Sequence, residues 1–116
     1  MNKRDENRLM WIKEEAEFLL EITYEHNLED FLNDRLLQHG VTMALINIGE
    51  SVTSLSKELK QGYPNIEWRE ITSLRNIAAH NYDGLRMEDI WDNVTEDVPK
   101  LLERVNEILR AEGVEE

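Results

Sequence analysis

Residues 34–60 read DRLLQHGVTMALINIGESVTSLSKELK, and this stretch decides the fold of the chain. Apolar side chains recur in it at steps of three and four residues, which places them on one face of an α-helix. Such a stripe is close to a heptad seam and is suited to packing in a helical bundle. We therefore predict one long helix from about Asp34 to Lys60 with a buried face of Leu37, Val41, Ala44, Leu45, Ile48, Val52, Leu55 and Leu59.

Helical periodicity continues along nearly all of the 116 residues, a length that suits one domain with a single core. Gly62 and Pro64 mark the clearest break, because they follow a periodic segment. Pro99 either kinks the last helix or lies in the first turn of a separate segment that starts near Thr95. We predict an all-α bundle of four to five helices in one domain, residues 1–116, with a frayed tail at 110–116. Its other helical segments would be 5–26, a short turn at 28–32, a third helix from about 66 to the turn at 81–84, and 87–110.

Composition argues against several classes of protein. No apolar run approaches the roughly 20 residues that span a bilayer, and the polar N-terminus leads into no signal core, so we expect a cytoplasmic protein. Zero cysteines exclude disulfides and thiolate metal sites. His26, His39 and His80 are widely spaced, and no glycine-rich phosphate loop is present. We therefore expect neither a bound metal nor a cofactor.

Charge is distributed unevenly. The net charge is −12, which argues against a general nucleic-acid binder, because phosphate contacts need a basic patch. Residues 1–66 have a net charge of −5 and residues 87–116 a net charge of −7, whereas residues 67–86 are neutral. That middle segment is the one part of the chain whose own charge does not repel an RNA backbone. A plain alternative is that the acidic helices serve solubility.

Arg75, Asn76, His80 and Tyr82 lie at the end of the third predicted helix, and they include the side chains best equipped for chemistry on a phosphodiester. Arginine holds a phosphate through a planar fork of donors. Histidine transfers protons near neutral pH. Each residue also has a plain interpretation: Arg75 as a surface residue, His80 as a partner of the negative helix end, and Tyr82 as an aromatic at the core edge. Their spacing alone does not decide between a chemical role and this plain structural role.

The helical wheel constrains how these side chains could act together. At about 100° per residue, His80 lies roughly 140° around the helix from Arg75. On a straight helix the two side chains do not converge on one phosphate. Either the helix ends near Ala79 and His80 turns back, or a second subunit completes the site across a two-fold axis, where one patch meets its own copy. The second alternative favours a homodimer.

Beside the motif Arg75-x4-His80-x-Tyr82, the chain carries Trp68 at the start of the motif helix. It also carries Ile48-Gly49-Glu50, Tyr63-Pro64, Ile90-Trp91 and Val98-Pro99-Lys100-Leu101. In order and spacing, and over nearly the whole chain, these strings resemble the HepT-like branch of the HEPN ribonuclease superfamily. Ser51-Val52 departs from the alanines that the family more often has there, a detail of core packing outside the motif.

This resemblance implies an all-α homodimer in which two Arg-x4-His motifs face each other in a cleft. It implies a metal-independent endoribonuclease that is the toxin of a two-gene toxin–antitoxin system. Arg75 would bind the RNA phosphate, His80 would transfer protons, and Asn76 would help to position them. The implied partner is a minimal nucleotidyltransferase antitoxin of the MntA type, which would neutralise the toxin by adenylylating Tyr82.

A second interpretation stays open on the sequence. The domain could serve a nucleotidyltransferase as a non-catalytic helical partner or substrate subunit, with the motif as a surface for interaction and modification. The net charge of −12 favours this interpretation, because an acidic protein binds RNA poorly.

Overall fold

The computed structural model describes residues 1–79 and 87–114, the side chains of residues 74–79 excepted. All regular secondary structure in that part of the chain is helical, which confirms the predicted all-α fold. The helices are α1 (Lys3–Thr23), α2 (Leu28–Leu32), α3 (Arg35–Thr53), α4 (Lys57–Gly62), α5 (Trp68–Ala79), α6 (Met87–Asp92) and α7 (Val98–Ala111), with a π-helical turn at Asn93–Asp97 between the last two.

Four long helices, α1, α3, α5 and α7, build the bundle, and the short helices connect them. Helix α3 packs against both α1 and α5, and α1 also packs against α7. The predicted stripe of the 34–60 stretch is confirmed in full, because all eight of its apolar side chains are buried. No helix in the described part of the chain is long and apolar enough to cross a membrane. The homodimeric state stays a prediction.

The prediction of one helix from Asp34 to Lys60 was wrong, because the chain forms two helices there. Helix α3 ends at Thr53, and Ser56 begins α4 as its N-cap, with its hydroxyl oxygen accepting a hydrogen bond from the Leu59 amide at 3.1 Å. Serine is among the preferred N-cap residues, since its side chain satisfies an amide that the helix leaves unpaired. The apolar spacing continues across the break, and for that reason periodicity did not reveal it.

A buried carboxylate holds this break against α1. Asp5 is 2% exposed. Its two carboxylate oxygens accept hydrogen bonds from the amide of Ser56 at 2.9 Å and from the Ser56 hydroxyl at 2.5 Å. The contact joins residues 51 positions apart in the chain. It therefore fixes where α4 starts relative to the first turn of α1.

The end of the bundle shows where Pro99 lies. Helix α6 passes through the π-helical turn into α7, which starts at Val98 with Pro99 in its first turn. The backbone stays helical across this junction, since Asp92 and Asp97 have helical φ and ψ and the Val98 amide donates to the carbonyl oxygen of Asn93. Pro99 therefore follows a π-helical turn inside one helical region, and no separate segment begins near Thr95. At the other end of the chain, α1 ends at Thr23 and not at His26, and Glu25 turns the backbone with φ of 68°.

The Asp5 contact predicts a loss of stability on substitution. In Asp5→Ala the Ser56 amide and hydroxyl lose their acceptor, so we expect the free energy of unfolding to fall by about 1–3 kcal/mol. Urea denaturation followed by circular dichroism measures this change. Glu17→Ala, an exposed carboxylate on the same helix, is the control and should stay within about 0.5 kcal/mol of wild type. Equal stability of the two variants would contradict the role given to Asp5.

Candidate functional site

The predicted motif begins on α5. Arg75 and Asn76 lie on this helix, one turn beyond Ile71, and the helix is described as far as Ala79. His80 and Tyr82 lie outside the described residues. The roles predicted for all four residues therefore stay predictions, and the structure contributes the position of the helix that carries the first two.

Tryptophan 68 holds the start of α5 in place. Its indole Nε1 donates a hydrogen bond to the carbonyl oxygen of Tyr63 at 3.1 Å. Together with Ile66 and Ile71, its partly buried ring packs against the hydrophobic core. An indole suits this position because it has an apolar body and one donor that needs a partner when buried. The tryptophan that precedes the motif thus fixes the start of the helix that carries Arg75.

Tyr63 ties the same region to the end of α7. Burial is the main cause that raises the pKa of the Tyr63 hydroxyl above 10.0, followed by the negative charge of Glu112 and a hydrogen bond to its carboxylate. Glu112 also forms an ion pair with the N-terminal amine of Met1 at 3.5 Å. The segment before α5 is therefore connected to both ends of the described chain. The contacts of Tyr63 and Glu112 add to the hydrogen bond between Trp68 and Tyr63, and together they orient the start of the motif helix.

A groove runs along the first half of α5, between this helix, the π-helical turn and α7. Its volume is about 490 Å³. It is lined by Asn65, Ile66, Glu67, Glu70, Ile71, Ser73, Asn93, Asp97, Lys100, Leu101, Glu103 and Arg104. Four of these residues are acidic and two are basic. Its charge is thus opposite to what an RNA backbone would require.

The pKa of the Glu70 carboxyl shows the effect of the acidic residues that surround it. A hydrogen bond to Glu67 and the negative charge of Glu67 raise the pKa of the Glu70 carboxyl above 4.5. Some loss of solvent and the charge of Asp97 act in the same direction. The neutral charge of the segment 67–86 is therefore no guide to its surroundings, because Glu67 and Glu70 line the groove and Arg69 does not, and Asp97 approaches Glu70 from elsewhere in the chain. RNA that reached Arg75 would have to approach from outside this groove.

Comparison with known proteins identifies the family. Residues 12–108 match the family described as Ribonuclease HepT-like. The chain is 34% identical over 106 residues to "Putative RNase MJ1380" of Methanocaldococcus jannaschii, covering 90% of this chain and 97% of that protein. It is 36% identical over 101 residues to "Probable ribonuclease HepT" of Thermococcus cleftensis, covering 87% and 92% of the two. No solved structure matches significantly.

The chain belongs to the Ribonuclease HepT-like family, which confirms the resemblance drawn from its sequence. With it, the predicted enzyme class, a ribonuclease, is confirmed. Among the described residues, no group of three or more histidine, aspartate or glutamate side chains is arranged to hold a metal ion.

The raised pKa of Glu70 predicts a dependence of stability on pH. A carboxyl whose pKa is higher in the folded than in the unfolded state makes the folded protein less stable when ionised, and this cost disappears as pH falls through that pKa. We therefore expect Glu70→Gln to have a higher Tm than wild type near pH 7, with the difference vanishing below about pH 4.5. Differential scanning calorimetry over this range measures it.

Glu103→Gln is the control, since it removes an acidic side chain from the other wall of the same groove. The difference in Tm from wild type should change less between pH 7 and pH 4 for Glu103→Gln than for Glu70→Gln. A Glu70→Gln variant less stable than wild type at neutral pH would show that the carboxylate is not repelled by its neighbours.

Proposed function

We propose that this ribonuclease is a metal-independent endoribonuclease and the toxin of a toxin–antitoxin system. One observation supports the proposal above the others: the family match over residues 12–108 contains the whole motif from Arg75 to Tyr82. A ribonuclease that works without a metal needs a cation for the phosphate and a group that transfers protons near neutral pH. Arg75 and His80 are these two kinds of side chain.

In the proposed reaction the 2′-hydroxyl of RNA attacks the adjacent phosphorus. The bond from phosphorus to the 5′-oxygen breaks, which leaves a cyclic 2′,3′-phosphate and a free 5′-hydroxyl. His80 acts in the proton transfer, from the attacking hydroxyl or to the leaving oxygen. Arg75 binds the phosphate oxygens and stabilises the charge that develops on them, and Asn76 helps to hold the two in place.

A homodimer is part of the proposal. On one straight helix Arg75 and His80 would lie roughly 140° apart around the axis, so the motif of a second copy across a two-fold axis would complete the site. The acidic groove along the first half of α5 repels RNA. RNA would therefore approach the cleft only from the side away from this groove. RNA would then enter where the two motifs meet, away from Glu67, Glu70 and Asp97.

Control by an antitoxin is the last part of the proposal. A minimal nucleotidyltransferase would transfer AMP from ATP to the hydroxyl of Tyr82, two residues beyond His80. The tyrosine oxygen would bond to the α-phosphorus of ATP, pyrophosphate would leave, and the hydroxyl proton would be released. The modification adds bulk and negative charge close to the position of the RNA phosphate. Both effects oppose RNA binding, so adenylylation would switch the nuclease off.

A second candidate function is a non-catalytic partner or substrate subunit of the nucleotidyltransferase. The acidic groove favours it, because Glu67, Glu70, Asp97 and Glu103 oppose binding of RNA beside the motif helix. In this case Tyr82 would still be modified, but no form of the protein would cleave RNA. The two functions therefore differ in one measurable property.

Cleavage of RNA by the unmodified protein in chelator tests the proposed activity. We expect His80→Ala to lower the cleavage rate by about 10²–10⁴, the usual contribution of a positioned proton donor or acceptor. Arg75→Ala should lower it by about 10²–10³, the usual loss when a group that stabilises developing charge is removed. His26→Ala, an exposed histidine in the link between α1 and α2, should keep the wild-type rate. Equal rates in wild type and His80→Ala, in preparations free of contaminating nuclease, would rule out the proposed active site.

Mass spectrometry tests the control by the antitoxin. Incubation with a cognate nucleotidyltransferase and ATP should add one or more AMP groups to Tyr82 and abolish RNA cleavage. Tyr82→Phe should stay unmodified and active, whereas Tyr24→Phe, an exposed tyrosine after α1, should be modified and inactivated like wild type. Modification at another residue, or inactivation of Tyr82→Phe by the same treatment, would contradict this part of the proposal.

A further inference from the structure

The first three turns of α1 carry two arginines, an asparagine and a tryptophan on one side of the helix. Arg4, Asn7, Arg8 and Trp11 line a shallow hollow on the protein surface. They occupy positions i, i+3, i+4 and i+7, so each side chain is a neighbour of the next. Trp11 is 43% exposed and is the most exposed of the three tryptophans. We call these four residues the α1 patch.

No carboxylate neutralises the two arginines of the α1 patch. In the described part of the chain, neither Arg4 nor Arg8 forms an ion pair. The one carboxylate a turn away from them on α1 is Asp5, and its oxygens accept hydrogen bonds from the start of α4. Glu6 lies on the other side of the helix and pairs with Lys3 at 2.9 Å. Both guanidinium groups are therefore available to an anion.

The charge of a long segment conceals this positive region. Residues 1–66 have a net charge of −5, yet residues 3–13 carry four basic and two acidic side chains, a net of +2. Residues 14–25 carry five glutamates and no basic side chain. The α1 patch is thus a small basic surface with an abrupt boundary, on a protein whose net charge is −12. An anionic ligand on α1 would be confined to the first three turns.

The side chains of the α1 patch suit a nucleotide of a single strand. Two guanidinium groups one turn apart bind phosphate oxygens through planar forks of donors. The exposed indole of Trp11 offers a face on which a base can stack. The carboxamide of Asn7 both donates and accepts hydrogen bonds, as the edge of a base requires. A duplex already stacks its bases on one another, so it would leave the indole unused.

We propose that the α1 patch is an accessory binding site for single-stranded RNA, separate from the motif on α5. The inference rests on the proposed function in taking RNA as the substrate, and no residue of the motif enters the argument. Trp11 stacks on one base, and Arg4 and Arg8 bind the phosphates beside it. The patch and the motif lie on different helices, both of which pack against α3. Only a strand of several nucleotides would therefore occupy both sites.

Fluorescence anisotropy on the full chain tests the stacking contact. The probe is a labelled single-stranded RNA of about 20 nucleotides, longer than the roughly 4–16 that one single-strand site covers. Its 2′-hydroxyls are methylated, which removes the nucleophile and keeps the probe intact. We expect Trp11→Ala to raise the Kd by about 5–150-fold, the usual effect of losing one stacked base. Trp11→Phe keeps an aromatic face and should raise it less.

Phe18→Ala is the matched control for the tryptophan. Phe18 lies on the same helix and is also 43% exposed, but it stands in the acidic half of α1. This variant should bind the probe like wild type. The probe annealed to its complement should bind more weakly than the single strand, and equally well to wild type and Trp11→Ala, because the duplex has no free base face.

The dependence of the Kd on salt tests the arginines. Each phosphate contact with a single strand contributes about 0.7 to the slope of log Kd against log salt concentration. Arg4→Gln/Arg8→Gln should therefore lower this slope by about 1.4 and weaken binding, whereas Trp11→Ala should leave the slope unchanged. Lys100→Gln/Arg110→Gln removes the same charge at exposed positions on α7 and should keep the wild-type slope. Circular dichroism of each variant shows that the fold is retained.

Three results would overturn the inference: a wild-type chain that does not bind the probe, a Trp11→Ala variant that binds it as tightly as wild type, or an arginine variant with the wild-type salt slope. Cleavage of unmethylated RNA by the same wild-type sample separates this inference from the proposed function. A protein that binds RNA through the α1 patch and cleaves none contradicts only the proposed function. A protein that cleaves RNA while the patch variants bind like wild type contradicts only the accessory site.

Discussion

Burial of the apolar stripe of α3 is the constraint on which the rest of the structure depends. The stripe extends into α4 and contributes eight buried side chains to the core. Both α1 and α5 pack against α3. Since α5 carries the first half of the motif, the position of Arg75 follows from the packing of a helix that contains no predicted catalytic residue.

Polar contacts at the edges of this core determine where the helices begin. Asp5 accepts hydrogen bonds from Ser56 and fixes the start of α4, and Trp68 donates to Tyr63 and fixes the start of α5. Both hydrogen bonds are partly buried, and an unpaired partner is costly where water is excluded. The apolar stripe alone would permit the helices to slide, whereas these contacts select one arrangement. The motif helix therefore leaves the core at a defined place.

Electrostatics explains how an acidic chain could still serve a ribonuclease. On the surface beside the first half of α5, Glu67 and Asp97 lie close enough to Glu70 to raise the pKa of its carboxyl. Repulsion on this side would direct RNA towards the other side of the motif helix.

Periodicity in the sequence determined the all-α class and the buried stripe of α3, because both depend on local spacing. The family followed from strings of neighbouring residues. The sequence predicted the motif residues Arg75, Asn76, His80 and Tyr82 from their chemistry and from the resemblance, and the structure adds only the placement of α5. It did not predict the break at Ser54–Ser56, since the acceptor that supports it, Asp5, lies 51 residues away. Tertiary structure alone brought Asp97 to Glu70 and left Trp11, Phe18, Leu36 and Met43 exposed on two adjacent helices. The physical reason is the same in each case: charge repulsion, hydrogen bonding and burial depend on distances in space, and residues far apart in the chain acquire those distances only when the helices pack.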